Sequence, residues 1–232
     1  MKICAISDLH GYLPKSLPEC DVLVIAGDIV PLEYQRSTVQ SVAWLAGPFQ
    51  NWCLKRKCSE IVVVAGNHDF IFEHCINNFF TPREIHDILF KLDSKLKIHY
   101  LCDSYVTIKD ITFYGTSLCP SLRNWAFYRD SDSLKEGFIN GMNKPFDVLV
   151  THCPPKMGTQ GVVLQPNYNY YKDFGCEELW DVIKEKDIKW VISGHIHSGN
   201  HDIDYYGNMK CVNVSLKDED YNVKYETFVF EI

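Results

Sequence analysis

Five short, β-branched apolar runs recur along the chain, and each gives way almost at once to a cluster of Asp, Asn and His. The runs are Ile3 to Ile6, Val22 to Ala26, Ile61 to Ala65, Val148 to Val150 and Trp190 to Ile192. Near-continuous apolar runs of this length read as strands buried on both faces. After them come Asp8-Leu9-His10, Gly27-Asp28, Gly66-Asn67-His68-Asp69, Thr151-His152-Cys153 and Gly194-His195-Ile196-His197. In open α/β sheets, ligand sites gather outside the carboxyl ends of strands. Five polar motifs on five strand ends are therefore expected to converge on one crevice.

Helical patterning fills the gaps. Arg36 to Lys57 places Val39, Val42, Ala43 and Leu45 at helical spacing, and Pro48 predicts a break near Gly47. Arg83 to Leu92, Ser133 to Ile139 and Glu177 to Lys186 read as further helices, the last with Glu177-Glu178 suited to a first turn after Gly175. Tyr105 to Ile108 and Ile111 to Tyr114 read as a hairpin around Lys109-Asp110. Met209 to Val214 and Lys224 to Ile232 read as a second antiparallel pair. With no repeat, low-complexity tract or linker, residues 1–232 read as a single α/β domain of two packed sheets with helices outside.

Composition narrows the function classes. At 46% hydrophobic and 13% aromatic residues, the chain is globular and not a disordered tail, collagen or coiled coil. A net charge of −7 argues against a basic surface for long nucleic acid. No apolar run approaches the roughly 20 residues of a membrane helix. The opening Met1 to Ile6 is too short for a signal-peptide core before Ser7-Asp8 intervenes. The ten cysteines include no Cys-x-x-Cys pair, and a domain of this size builds its core without disulfides. Reduced thiols and a cytoplasmic location are the simplest expectation.

Taken singly, each polar motif is an ordinary strand-end turn or cap. Jointly they gather five of the nine histidines, in order, on strand ends. Asp, His and Asn supply oxygen and nitrogen ligands without sulfur, a mixture suited to Mn, Fe, Zn or similar ions. Seven such ligands exceed one tetrahedral site and fit two ions sharing a bridging carboxylate. Two metals about 3.5–4 Å apart clamp the attacking and leaving oxygens of an in-line phosphoryl displacement.

The ordered set resembles the calcineurin-like metallophosphoesterase family, whose pattern is Asp-x-His, Gly-Asp, Gly-Asn-His-Asp/Glu, His, then Gly-His-x-His. Asp21 to Asp28, Val64 to His68, Thr151 to Pro155 and Gly175 to Leu179 look like segments of its metallophosphoesterase-domain-containing subgroup, some members of which are phosphodiesterases. The resemblance implies a four-layer αββα sandwich and two divalent ions (Mn, Fe, Zn or Ni, with Mn favoured). It assigns Asp8, His10 and His197 to the first ion and Asn67, His152 and His195 to the second, with Asp28 bridging. A metal-bridging hydroxide would attack in line. His68 would sit above the metals and assist the leaving group, with Asp69 orienting its ring. Cys153 departs from the family's usual Gly and would narrow the floor of the site. His197, which some subgroup members lose, is present.

Two stretches are candidates for shaping the substrate site. Leu118 to Asp130 carries Arg123, Trp125 and Phe127, and Pro154 to Phe174 carries Tyr168, Tyr170 and Tyr171. Arg123, Tyr168 and Tyr170 are the candidate substrate contacts, against the alternative that these aromatics only seal the sheet's flank. Phe70-Ile71-Phe72 and Phe79-Phe80 read as core, and His74, His86, His99 and His201 as surface or packing residues. The expected activity is hydrolysis of a small phosphodiester, nucleotide-sized or cyclic. A phosphomonoesterase or protein phosphatase on the same centre is the alternative. A non-catalytic scaffold fits less well, since none of the seven ligands is degraded and His68 remains.

Overall fold

In the computed structural model, which describes every residue except 79, 91–94, 121–122 and 166–168, each apolar run becomes a strand. Strands β1 (Lys2–Ile6) and β2 (Val22–Ala26) precede helix α1 (Thr38–Trp44), a π-helical turn (Leu45–Phe49), α2 (Gln50–Cys53) and β3 (Glu60–Val64). Helices α3 (Phe70–Asn77) and α4 (Pro82–Leu89) lead to β4 (Lys97–Tyr100), β5 (Ser104–Ile108), β6 (Ile111–Thr116), β7 (Cys119–Pro120) and β8 (Tyr128–Arg129). Then come α5 (Ser131–Gly141), β9 (Val148–Thr151), β10 (Val162–Gln165), β11 (Tyr170–Asp173) and α6 (Glu177–Ile183). The chain closes with β12 (Trp190–Ser193), β13 (Asp204–Tyr206), β14 (Met209–Asn213) and β15 (Phe228–Glu231).

Two large mixed sheets result, ordered β15-β1-β2-β3-β4 and β13-β14-β12-β9-β6-β5. Alternation along the strands sorts the core into layers. Ala5, Val24 and Val62 face Val150, Ile192 and Val212 between the sheets. Cys4, Ile25 and Val63 point the other way, under Trp44, Phe49, Phe72 and Phe90 of the first helical layer. Leu149 and Val191 face Leu134, Phe138, Leu179 and Ile183 of α5 and α6. This is the four-layer αββα arrangement. Every residue of β2 is at most 1% exposed, and each such Val or Leu contributes about 1.5–3 kcal/mol by burial.

Three local readings need correction. The expected break at Gly47 is instead a π-helical turn, because Pro48 has no N–H to donate and the wider turn keeps Leu45 and Phe49 fully buried. The tail does not form a pair with itself. Strand β14 lies parallel to β12 and antiparallel to β13, whereas β15 crosses to the other sheet and pairs antiparallel with β1. Phe80 is exposed while Ile71 and Phe72 are buried; Phe79 and Leu92 lie outside the described residues. The β5–β6 hairpin is as expected, with Lys109 and Asp110 both at positive φ as a two-residue hairpin turn demands. Among the described residues, no helix is long and apolar enough to cross a membrane.

Candidate metal centre

The segments that follow β1, β2, β3, β9 and β12 deliver the seven candidate ligands to one end of the two sheets. Their backbones are bent hard to do so. Asp8, His10, Asp28 and His195 all sit at positive φ, between 41° and 69°. Such conformations cost non-glycine residues about 1–2 kcal/mol each and persist where the surroundings over-determine them. Two motif glycines permit the crowding. A Cβ on Gly66 would overlap the Asp28 carboxylate, and one on Gly194 would overlap Ser7 and Asp8.

Asp28 is the hub. Its Oδ2 lies 3.3 Å from His152 Nε2, 3.6 Å from His10 Nε2 and 3.9 Å from His68 Nε2. Its Oδ1 accepts the backbone N–H of His68 at 2.8 Å. Asp8 Oδ1 lies 3.2 Å from His197 Nε2, and its Oδ2 accepts the His195 backbone N–H at 3.0 Å. His152 Nε2 meets Asn67 Oδ1 at 2.9 Å, and the His195 ring lies 4.9 Å from that of His152. Among the described residues, three sets of His and Asp donors lie close enough to hold an ion: Asp8–His10–His197, His10–Asp28–His68 and Asp8–Asp28–His152.

These residues fit divalent cations on structural grounds. Both ring nitrogens of His10 are buried without a hydrogen-bond partner, an arrangement that costs about 1–3 kcal/mol unless a ligand relieves it. The other rings are oriented from behind. His152 Nδ1 donates to Ala26 O at 2.8 Å and His197 Nδ1 to Asp218 O at 2.9 Å, leaving each Nε2 for the cleft. Burial drives His10 down to about 4 and His195 down to about 3, so both are neutral lone-pair donors. Burial alone would raise Asp28, but His152 above all outweighs it and holds the carboxyl well below the usual range. Asp8 is likewise held low against burial, chiefly by His197. Burial opposes the charge on His152, yet Asp28 lifts it to about 9, so this ring must give up a proton to become a ligand. Ionised carboxylates and neutral imidazoles are the forms that bind metal.

His68 and Asp69 do not form the expected dyad. The Asp69 carboxylate turns away and accepts the backbone N–H groups of Ile29, Val30 and Gly66 at 2.9–3.1 Å. Burial and the Asp28 charge raise it to about 7. His68 Nδ1 instead faces Gln35 Oε1 at 2.6 Å, and its ring packs 4.2 Å from Trp125. Gln35 was not visible as a site residue, because nothing in a loop seven positions after Asp28 marks it. Tyr221 was also missed. Its ring stands 4.9 Å from His10 and 5.3 Å from His197.

The candidate substrate residues fare differently. Arg123 is exposed in the turn just before Trp125. Tyr170 is half exposed on β11, and Tyr168 lies outside the described residues. Within Pro154 to Phe174, β10 and β11 pair antiparallel and border the centre with other side chains. Val163, Leu164, Gln165 and Phe174 line a cavity of about 530 Å³ shared with His195, Ile196, Ser198 and Glu219. Cys153 does not narrow the floor of the site, because it packs outward with Cys176 and Leu179. Of the remaining histidines, His99 pairs with Glu60 and His201 stacks on Tyr225.

Comparison with known proteins places this centre among relatives. A UPF0046 protein of Caenorhabditis elegans is 29% identical over 252 residues, covering 100% of this chain and 60% of that protein. Metallophosphoesterase domain-containing protein 1 of Homo sapiens is 26% identical over 214 residues, covering 85% of this chain and 61% of that protein. The chain thus spans about 60% of the length of these two relatives. A solved structure of phosphopantetheinyl hydrolase from Mycobacterium tuberculosis shares the fold at a TM-score of 0.51 and 14% identity, over 95% of this chain and 90% of that one. Another shares it at a TM-score of 0.60 and 17% identity, over 91% and 89%. The sequence profile of calcineurin-like phosphoesterases matches residues 1–199, the stretch holding all five strand-end motifs, and the chain belongs to that family.

Proposed function

We propose that the chain is a two-metal phosphodiesterase acting on a small substrate of nucleotide size. The observation that carries this reading is the Asp28 carboxylate facing three imidazole nitrogens within 3.9 Å, beside an Asp8–His197 pair. Asp8, His10 and His197 would hold one cation, Asn67, His152 and His195 the other, and Asp28 both. When bound, such ions supply a nucleophile at neutral pH and a Lewis-acid clamp on the phosphoryl oxygens. The donors, oxygen and nitrogen without sulfur, suit Mn, Fe, Zn or Ni, and Mn²⁺ is the ion we favour.

The chain's own residues do the rest. Two dications set against Asp8 and Asp28 leave a positive site that draws a monoanionic diester into a chain of charge −7. His68, braced by Gln35 and Trp125, delivers a proton to the departing alkoxide, which an unactivated diester needs. The cavity beside His195 takes the organic substituent. The overall negative charge disfavours a nucleic-acid polymer, and ten unpaired thiols favour the reducing cytoplasm. The test compares kcat/KM for bis-p-nitrophenyl phosphate, p-nitrophenyl phosphate and cyclic nucleotides, with Mn²⁺ at one pH. Higher efficiency on the diesters supports the reading; preference for the monoester replaces it with a phosphomonoesterase on the same centre.

A further inference from the structure

At the far ends of the strands that carry Asp28 and Asn67, a second cluster stands outside the proposed chemistry. Cys20 lies two residues before β2 and Cys58 two residues before β3. The parallel pairing of these strands begins at Val22↔Glu60, so both cysteines enter neighbouring strands at the same level. The Cys20 backbone N–H donates to Lys57 O at 3.2 Å, which ties it to the residue before Cys58. Neighbouring strands run about 4.7–4.9 Å apart, inside the roughly 4.4–6.8 Å Cα separation of disulfides. Cys20 and Cys58 both pack at the edge of the apolar cluster that holds Cys4.

Exposure separates the two neighbours. Cys4 is fully buried on β1, whereas Cys20 and Cys58 are both half-buried. Both line a cavity of about 280 Å³ whose rim carries Lys15, Lys55, Arg56 and Lys57 against one carboxylate, Glu19. Hydrogen bonds from Cys4 and then Cys58 hold the Cys20 thiol below the ordinary cysteine range, and Lys2 adds to this. A thiolate at a cationic opening is the arrangement of a reactive cysteine. A metal clip is the weaker reading, because the donor groups compact enough for one ion, among the described residues, all belong to the Asp/His centre.

We infer that Cys20 and Cys58 form a thiol–disulfide exchange site for an anionic disulfide of the oxidised-glutathione type. The Cys20 thiolate attacks one sulfur of oxidised glutathione; that S–S bond breaks and one glutathione thiolate leaves, taking up a proton. Cys58 then loses its proton to solvent and attacks the Cys20 sulfur, expelling the second glutathione. Two cysteine thiols are oxidised by two electrons, and one disulfide is reduced to two thiols.

The test exposes the metal-loaded protein to oxidised glutathione, blocks free thiols and maps the peptides by mass spectrometry without reductant. The expected product is a Cys20–Cys58 cross-link, two hydrogens lighter. Cys58→Ser should trap glutathione on Cys20, Cys20→Ser should abolish both products, and Cys4→Ser should leave the cross-link intact. Cystamine, a cationic disulfide, should react more slowly than oxidised glutathione, by about two- to tenfold. A Lys55→Glu/Lys57→Glu variant should erase that preference. A Cys4–Cys20 cross-link, a Cys20 that stays fully alkylatable, or equal rates with both disulfides would overturn the inference.

Discussion

His68 Nδ1 and Gln35 Oε1 stand 2.6 Å apart, and this contact fixes how the ring presents itself to the cleft. An amide oxygen only accepts, so Nδ1 is the donor and Nε2 is left facing Asp28. Gln35 is thus a positioning residue for His68. Gln35→Leu should lower kcat about tenfold, the worth of one such hydrogen bond, with KM little changed. The loss should be larger for alkyl diesters than for p-nitrophenyl diesters, whose leaving groups need no proton. Gln35→Glu, which still accepts from Nδ1, should recover most of the rate. Equal losses on both substrate classes would mean that Gln35 only supports the loop.

Metal content separates ligands from the acid. Asp28→Ala removes the carboxylate that faces His10, His68 and His152, and elemental analysis should find both cations depleted. His197→Ala should weaken mainly the ion shared with Asp8 and His10. His68→Asn should keep both ions while turnover falls about 10²–10⁴-fold, the usual contribution of a positioned acid. Because His68 Nε2 also lies near Asp28, proportional loss of metal and activity in that variant would make His68 a ligand instead.

What the sequence made legible follows from physics that is local. The parallel strands announce themselves because burial on both faces demands unbroken apolar runs, and β2 and β3 are such runs. The polar motifs at their ends marked the candidate ligands, whose separate roles came from the family resemblance. Destinations were less visible. Nothing in the alternation of Lys224 to Ile232 says that β15 joins β1, whose register pairs Lys2 with Glu231. Gln35 and Tyr221 reach the site from loops, through packing that no spacing encodes. The resemblance put Asp69 behind the His68 ring, but its buried oxygens are claimed by backbone amides.

That bonding makes Asp69 a prop for the loop that follows Asp28. Asp69→Ala would leave the N–H groups of Ile29, Val30 and Gly66 buried and unpaired, at about 1–3 kcal/mol each. Urea unfolding should show a loss of about 3 kcal/mol or more. Asp69→Asn keeps one acceptor oxygen and should lose distinctly less. Metal affinity should fall along with stability, since Asp28 sits next to Ile29. Two variants equally and only slightly destabilised would contradict this role.

The final prediction concerns pH and a carboxylate remote from the centre. Asp147 ties together the starts of three strands: Oδ2 accepts the Thr112 N–H at 2.9 Å, Oδ1 pairs with Lys189 Nζ at 2.7 Å, and its backbone bonds to Thr112 and Lys189. Burial alone would raise its pKa, but Lys189 and the Thr112 N–H outweigh that and hold it below the ordinary value. A carboxyl lowered on folding contributes stability that is present above its unfolded pKa of about 3.9 and is lost as pH falls through the lower folded value. Asp147→Asn should therefore cost about 1 kcal/mol at pH values from about 5 to 8. Its deficit against the wild type should shrink as the pH drops below about 4. Urea unfolding of both proteins at matched pH reads this directly, and titration of the metal ligands, common to both, cancels in the difference. A deficit that stays constant, or widens, on acidification would show that the carboxylate's charge is not what holds the three strands in place.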